Sequence, residues 1–142
     1  VAAVAVPNFI AWIDRAQLKD ALLGLHGNLN LARMTAMNRN TTVTATLAVV
    51  NNRVTATFTD PANTSAGCLA NQSLCVIPTQ VMPGQVTGFG GVPQVQFNSL
   101  GLRVGGGATT QTIQLTNSKG VTFEIQITPA GKTRWCTVSP CP

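Results

Sequence analysis

The chain predicts an α+β fold, with one long N-terminal α-helix laid on antiparallel β-sheet. Three observations carry that prediction. Leu18, Leu22, Leu25, Leu29, Ala32 and Ala36 recur at spacings of four and three, the repeat of a helix face. Residues 41–60 and 112–128 alternate apolar with polar residues on both sides of a short turn, the repeat of a hairpin. Only 9% of the 142 residues are charged, and Thr, Asn, Gln and Ser supply the polarity, as in strand-rich domains. The expected organisation is a helix over 1–40 followed by a β-domain over 41–142.

The helix begins in VAAVAVPNFIAWI, thirteen residues without a charge. That is short of the roughly 20 residues that span a bilayer. The stretch has no initiator Met, basic region or cleavage site, so it does not read as a signal peptide. It is apolar on every side, so 1–13 reads as the remnant of a hydrophobic membrane segment rather than a striped core helix. Pro7 is expected to kink the helix or end a segment of it. After Ile13 charges appear and the narrow leucine seam starts. Gly24 and Gly27 each weaken a helix by about 1 kcal/mol, and their lack of a side chain lets another surface come close. Pro7, Phe9, Leu18, Leu22, Leu25 and Leu29 form the expected packing set of the helix.

The first hairpin is TTVTATLAVVNNRVTATFTD. Val43, Ala45, Leu47 and Val49 share one face with Val54, Ala56 and Phe58, and the Asn pair tolerates the positive φ of a two-residue turn. Residues 61–91 are rich in Pro and Gly and read as loop, with short strands around Val76 and Val86. VQFNSLGLRV follows, with Val95 and Phe97 on one face and a turn before Leu102 and Arg103. Gly105, Gly106 and Gly107 make a flexible turn. The second hairpin joins Ile113 and Leu115 to Val121, Phe123, Ile125 and Ile127 around Asn117-Ser118-Lys119-Gly120. Pro129-Ala130-Gly131 then turns the chain into KTRWC. Alternation places Lys132 and Arg134 on one face, and Thr133 and Trp135 on the other, with Trp135 as the anchor.

Four cysteines fall in two close pairs, CLANQSLC and CTVSPC. Neither spacing is that of a zinc ribbon or redox pair, and one histidine adds little to a metal site. Three pairings are open. Local closure, Cys68–Cys75 and Cys136–Cys141, is the one expected, in an oxidising compartment. Each short loop is stabilised by roughly 2–2.5 kcal/mol at most. No cofactor is expected. His26, next to the seam, reads as a structural or surface residue. The four acids Asp14, Asp20, Asp60 and Glu124 are scattered, and no nucleophile elbow or phosphate loop is present. Enzyme chemistry is therefore not expected. The net charge of +5 fits either a polyanionic partner or simple solubility.

VAAVAVPNF, LHGNLNLARMTAMNRNTTV, the late FNSLG and the ending TPAGKTR together resemble the type IV pilin-like FimT/FimU/GspH group of minor pilins and pseudopilins. The resemblance is strongest over 1–50 and 95–135. It implies a pilin-like fold, packing of the helix set in a filament of other pilins or pseudopilins, and an envelope location. The implied route is the inner membrane before assembly, with the β-domain in the periplasm, then the filament tip or cell surface. Members of that group start with a short segment carrying an assembly glutamate, which this sequence does not contain, so the chain reads as truncated.

Some FimT-like members carry a C-terminal Gly-basic-x-Arg motif tied to DNA capture in natural transformation. Gly131-Lys132-Thr133-Arg134 matches it, with Lys in the first basic place. Lys132, Arg134 and Arg103 are the resulting candidates for contact with double-stranded DNA. Three phosphate contacts would give a log K against log salt slope of about −2.7. Two rivals stand beside this reading: a type II secretion pseudopilin that touches other pseudopilins and cargo, and a secreted β-domain used for adhesion.

Overall fold

The computed structural model describes residues 2–60 and 77–142, with side chains from residue 9 onward. The helix α1 covers Ala2–Arg39 and does not end at Pro7. Arg39 lies in its last turn, where a cation meets the negative end of the helix dipole. Its guanidinium is also 3.8 Å from the buried Asp60 carboxylate. Asn40 takes a φ of 52°, and Thr41 N–H donates to the Ala36 carbonyl at 3.0 Å, a left-handed cap that stops the helix.

The strands among the described residues are β1 (Val43–Val50), β2 (Arg53–Thr59), β3 (Gln80–Val81), β4 (Val86–Gly91), β5 (Gln94–Phe97), β6 (Arg103–Val104), β7 (Gln111–Asn117), β8 (Thr122–Ile127) and β9 (Thr133–Cys136). They form two antiparallel sheets, β3-β2-β1-β5-β6 and β4-β7-β8-β9. Helix α1 lies across both and touches β1, β4, β5, β7, β8 and β9. Its seam, Leu18, Leu22, Leu25, Leu29, Ala32 and Ala36, is buried against Val43, Ala45 and Leu47 of β1 and against Ile113, Leu115, Phe123, Ile125 and Ile127 of β7 and β8. Each leucine buried there contributes about 1.5–3 kcal/mol. This shared seam is what joins two small sheets into one core.

The hairpin β1–β2 turns at Asn51 and Asn52, with φ of 51° and 61°, as the Asn pair predicts. One of its expected core positions differs. Val49 is 56% exposed, because β5 ends opposite Thr46 and the tip of β1 has only β2 beside it. The short strand expected around Val86 is present and runs on to Gly91 as β4, paired with β7 across a register shift between Val86 and Gly88. The backbone ladder needs no side chains, so a glycine-rich strand does not announce itself by composition. The strand expected around Val76 lies outside the described residues. Gly24 meets the expectation of close approach. A Cβ there would lie 2.9 Å from Gln80 Nε2, and Gln80 donates to the Ala21 carbonyl and accepts from Asn28 Nδ2. Gly27 has open space around it.

Candidate functional site

Strand β9 is the edge of the second sheet; it carries Arg134, and Lys132 lies immediately before it. It pairs with β8 in the register Gln126↔Arg134 and Ile125↔Trp135. Side chains therefore alternate as the sequence predicts. Trp135 packs partly buried against the core. Thr133 faces α1, where its hydroxyl donates to Asn30 Oδ1 at 2.8 Å and lies 3.1 Å from His26 Nε2. A hydroxyl has one proton, so with that proton on Asn30 the His26 Nε2–H is the donor of the second bond. His26 is thus a structural tie between helix and edge strand.

Lys132 and Arg134 are both exposed. Arg134 Nε donates to Gln126 Oε1 at 2.8 Å and Nη2 to the Pro142 backbone oxygen at 2.8 Å. Those two bonds hold the guanidinium in one orientation and leave its other N–H donors uncommitted. Beyond Arg134 the chain closes the Cys136–Cys141 disulfide. The loop folds back over the outer face of β8 onto Glu124, which is 1% exposed. Ser139 Oγ donates to Glu124 Oε2 at 2.8 Å and the Cys141 N–H to Oε1 at 3.2 Å. Gln114 and Gln126 donate to the same carboxylate. Burial pushes the Glu124 carboxyl up, but the bonds from Ser139, Cys141, Gln114 and Gln126 outweigh it and hold the pKa below its ordinary value. The hydrogen bonds run Glu124–Gln126–Arg134, so the buried acid helps to set the exposed cation.

Arg103 is a correction. It is only 6% exposed, and its guanidinium donates to the carbonyls of Ile127 (2.7 Å), Thr109 (2.7 Å), Gly107 (3.1 Å) and Gly105 (3.3 Å). It has no free face for a phosphate. The same bonds tie down the glycine turn that composition marks as flexible. Cys68 and Cys75 lie outside the described residues, as does the side chain of Pro7. Of the packing set, Leu18, Leu22, Leu25 and Leu29 are fully buried inside the chain, whereas Phe9 is exposed.

Sequence reasoning missed Arg33. It sits off the seam and reads as an ordinary polar position. In the structure its Nε donates to the Gly101 carbonyl at 2.8 Å and its Nη2 to Ala130 at 3.3 Å, joining the FNSLG and PAGK turns. Gly131 is the residue that makes this junction close. Its φ is 84°, and a Cβ would lie 2.1 Å from the Gly101 carbonyl oxygen. It missed Glu124 too, because an acid on the outer side of a strand is normally solvated.

A family model described as type II transport protein GspH matches residues 23–131. The chain belongs to the GspH family. Members of this pilin-like group are structural subunits that associate with other pilins in an envelope filament. The fold agrees with solved structures of the type IV minor pilin FimU from Pseudomonas aeruginosa. One, in space group P21, superposes with a TM-score of 0.65 at 16% identity, covering 92% of this chain and 96% of that one. A second, in space group P65, gives 0.62 at 16% identity, covering 87% and 96%. At that identity the likeness is one of fold. No curated protein sequence matches the chain. The matched span of the GspH family model includes Arg33, Gly101 and Gly131, so the clamp between the two turns lies inside the family region.

Proposed function

We propose that this GspH-family chain is a minor type IV pilin, a tip and assembly subunit of an envelope filament that binds DNA without sequence preference for natural transformation. The observation that carries the DNA part is the pair Lys132 and Arg134, both exposed at the start of an edge strand beside a disulfide-closed loop. Successive cations on one face can meet neighbouring phosphates, and Arg134 is already oriented by Gln126 and Pro142. Lys132 acts as a point charge where Arg would offer a fork. Assembly is supported by a second feature. The outer face of α1, opposite the leucine seam, exposes Leu23, Leu31, Met34 and Met37. This face is free for the helix of a neighbouring subunit, whereas the seam is occupied by the chain's own sheets.

With Arg103 removed from the surface, about two phosphate contacts remain, and the slope of log K against log salt becomes about −1.8. A titration of labelled duplex across a salt series measures it. The Lys132→Ala/Arg134→Ala double variant should abolish the salt-dependent binding. Unchanged affinity in that variant, or no binding of the wild type at low salt, removes DNA from the reading. The type II transport role for which the matching family is named favours a second reading, a type II secretion pseudopilin that contacts other pseudopilins and cargo. Capture by type II rather than type IV tip subunits in a pairwise binding assay separates the two.

A further inference from the structure

A cleft of about 400 Å³ opens between α1 and the C-terminal disulfide loop, lined by Trp12, Arg15, Ala16, Lys19, Phe123 and Thr137. We propose that it binds the phosphate headgroup of an anionic phospholipid while the first turns of α1 rest in the bilayer interface. The inference goes beyond the DNA reading and uses none of its residues.

The lining holds two cations and no acid. Both cations are held in place by rings. Arg15 Cζ lies 5.5 Å from the centroid of Phe123, and Lys19 Nζ lies 5.9 Å from that of Trp135. Such contacts order the long side chains before a ligand arrives and leave their N–H groups able to donate. Both residues are exposed. The order of chemistry along the helix then identifies the ligand. Phe9 and Trp12 are 61% and 65% exposed, and Ile10 is exposed beside them. Phe9 and Trp12 stack with ring centroids 6.2 Å apart. Arg15 and Lys19 come next, about 5 and 10 Å further along the axis than Trp12. Apolar side chains, then a tryptophan, then cations is the depth profile of a lipid interface, from acyl chains to phosphate. A DNA duplex presents phosphates but no apolar phase to cover Phe9 and Ile10. A phospholipid presents both within the length of the cleft. No helix among the described residues is long and apolar enough to cross a membrane.

The test is vesicle co-sedimentation of the chain at low salt. One vesicle is phosphatidylcholine alone and the other is phosphatidylcholine mixed with phosphatidylglycerol. In a Trp135→Phe background Trp12 is the single remaining tryptophan and reports its own immersion. Stronger binding to the anionic vesicles is expected, with a blue shift of Trp12 emission. Each of Arg15→Ala and Lys19→Ala should weaken that binding about fivefold. Trp12→Ala should weaken binding to the same vesicles, with the thermal melt unchanged as a check on folding. Equal binding to both vesicles, or an Arg15→Ala/Lys19→Ala variant that binds like wild type, overturns the proposal. Competition by soluble glycerol phosphate at vesicle-equivalent concentration would make this a free-phosphate site instead. A double variant that loses duplex binding but keeps vesicle binding would assign the cleft to nucleic acid. The DNA reading itself stands or falls on Lys132 and Arg134, so the two failures are distinguishable.

Discussion

Glu124 and Arg103 show that a charged residue type does not fix its exposure. Arg103 lies between Leu102 and Val104 and Glu124 between Phe123 and Ile125, and both are buried. Arg103→Ala would strand four carbonyls, and loss of a buried charged donor costs roughly 3 kcal/mol. Urea unfolding should record that loss, while the salt slope of DNA binding stays unchanged. For Glu124 the sign follows from a folded pKa held below the unfolded one. Its contribution is fully present above the unfolded value, about 4.3. It is lost as pH falls through the folded value. Wild-type stability should therefore decline below about pH 4 more steeply than that of Glu124→Ala, which starts lower and has less to lose. Urea midpoints across pH 2–6 give both curves. At Gly131, Ala would meet both a left-handed φ and the Gly101 carbonyl. A destabilisation of about 1–3 kcal/mol or more is expected.

The elements differ in how much of their stability is their own. The hairpins β1–β2 and β7–β8 have turns made for them: two Asn residues at positive φ in one, and Asn117 Oδ1 accepting from the Lys119 and Val121 N–H groups in the other. Strand β9 also follows a local turn, in which the Thr128 N–H donates to the Lys132 carbonyl and the Gly131 N–H to that of Thr128, with Gly131 at a φ of 84°. It holds its place through Trp135 on the core, Thr133 on α1 and the loop closed by Cys136 and Cys141. Opening that loop in a Cys136→Ser/Cys141→Ser variant should cost about 2 kcal/mol. The same change frees the segment that carries Ser139 and Pro142, which contact Glu124 and Arg134. Its second signature is a gain in the hydrogen exchange of β9 amides, with those of β1 and β2 unchanged.

At the scale of the whole molecule, α1 has two apolar faces with different partners. The inner seam is completed by both sheets, so Leu25→Ala leaves a cavity that neither can fill. A loss of 2–5 kcal/mol, about the usual range for buried leucine, should appear in urea unfolding. The outer face, with Leu31 and Met34, is exposed in the single chain. Leu31→Asp and Met34→Asp should leave the melting temperature nearly unchanged and block incorporation into a filament in cells. A loss of stability as large as that of Leu25→Ala would show that this face is part of the chain's own core.

What could be read from the sequence is what depends on local period and local turn chemistry. The 4-3 spacing from Leu18 to Ala36 gave the helix and its inward face. The alternations around Asn51-Asn52 and Asn117–Gly120 gave the hairpins, and alternation in KTRWC gave the exposure of Lys132 and Arg134. Tertiary structure decided everything that rests on residues far apart in the chain. Arg33 and Gly131 are 98 positions apart by their numbering, yet meet at one carbonyl of Gly101. Glu124 is buried only because the disulfide loop folds back on it, and Arg103 only because the glycine turn wraps its guanidinium. The cleft that joins Trp12 and Lys19 to Thr137 exists for the same reason. Periodicity assigns a side chain to a face, but burial and partners depend on what later segment covers that face. That is a long-range property, which no window along the sequence contains.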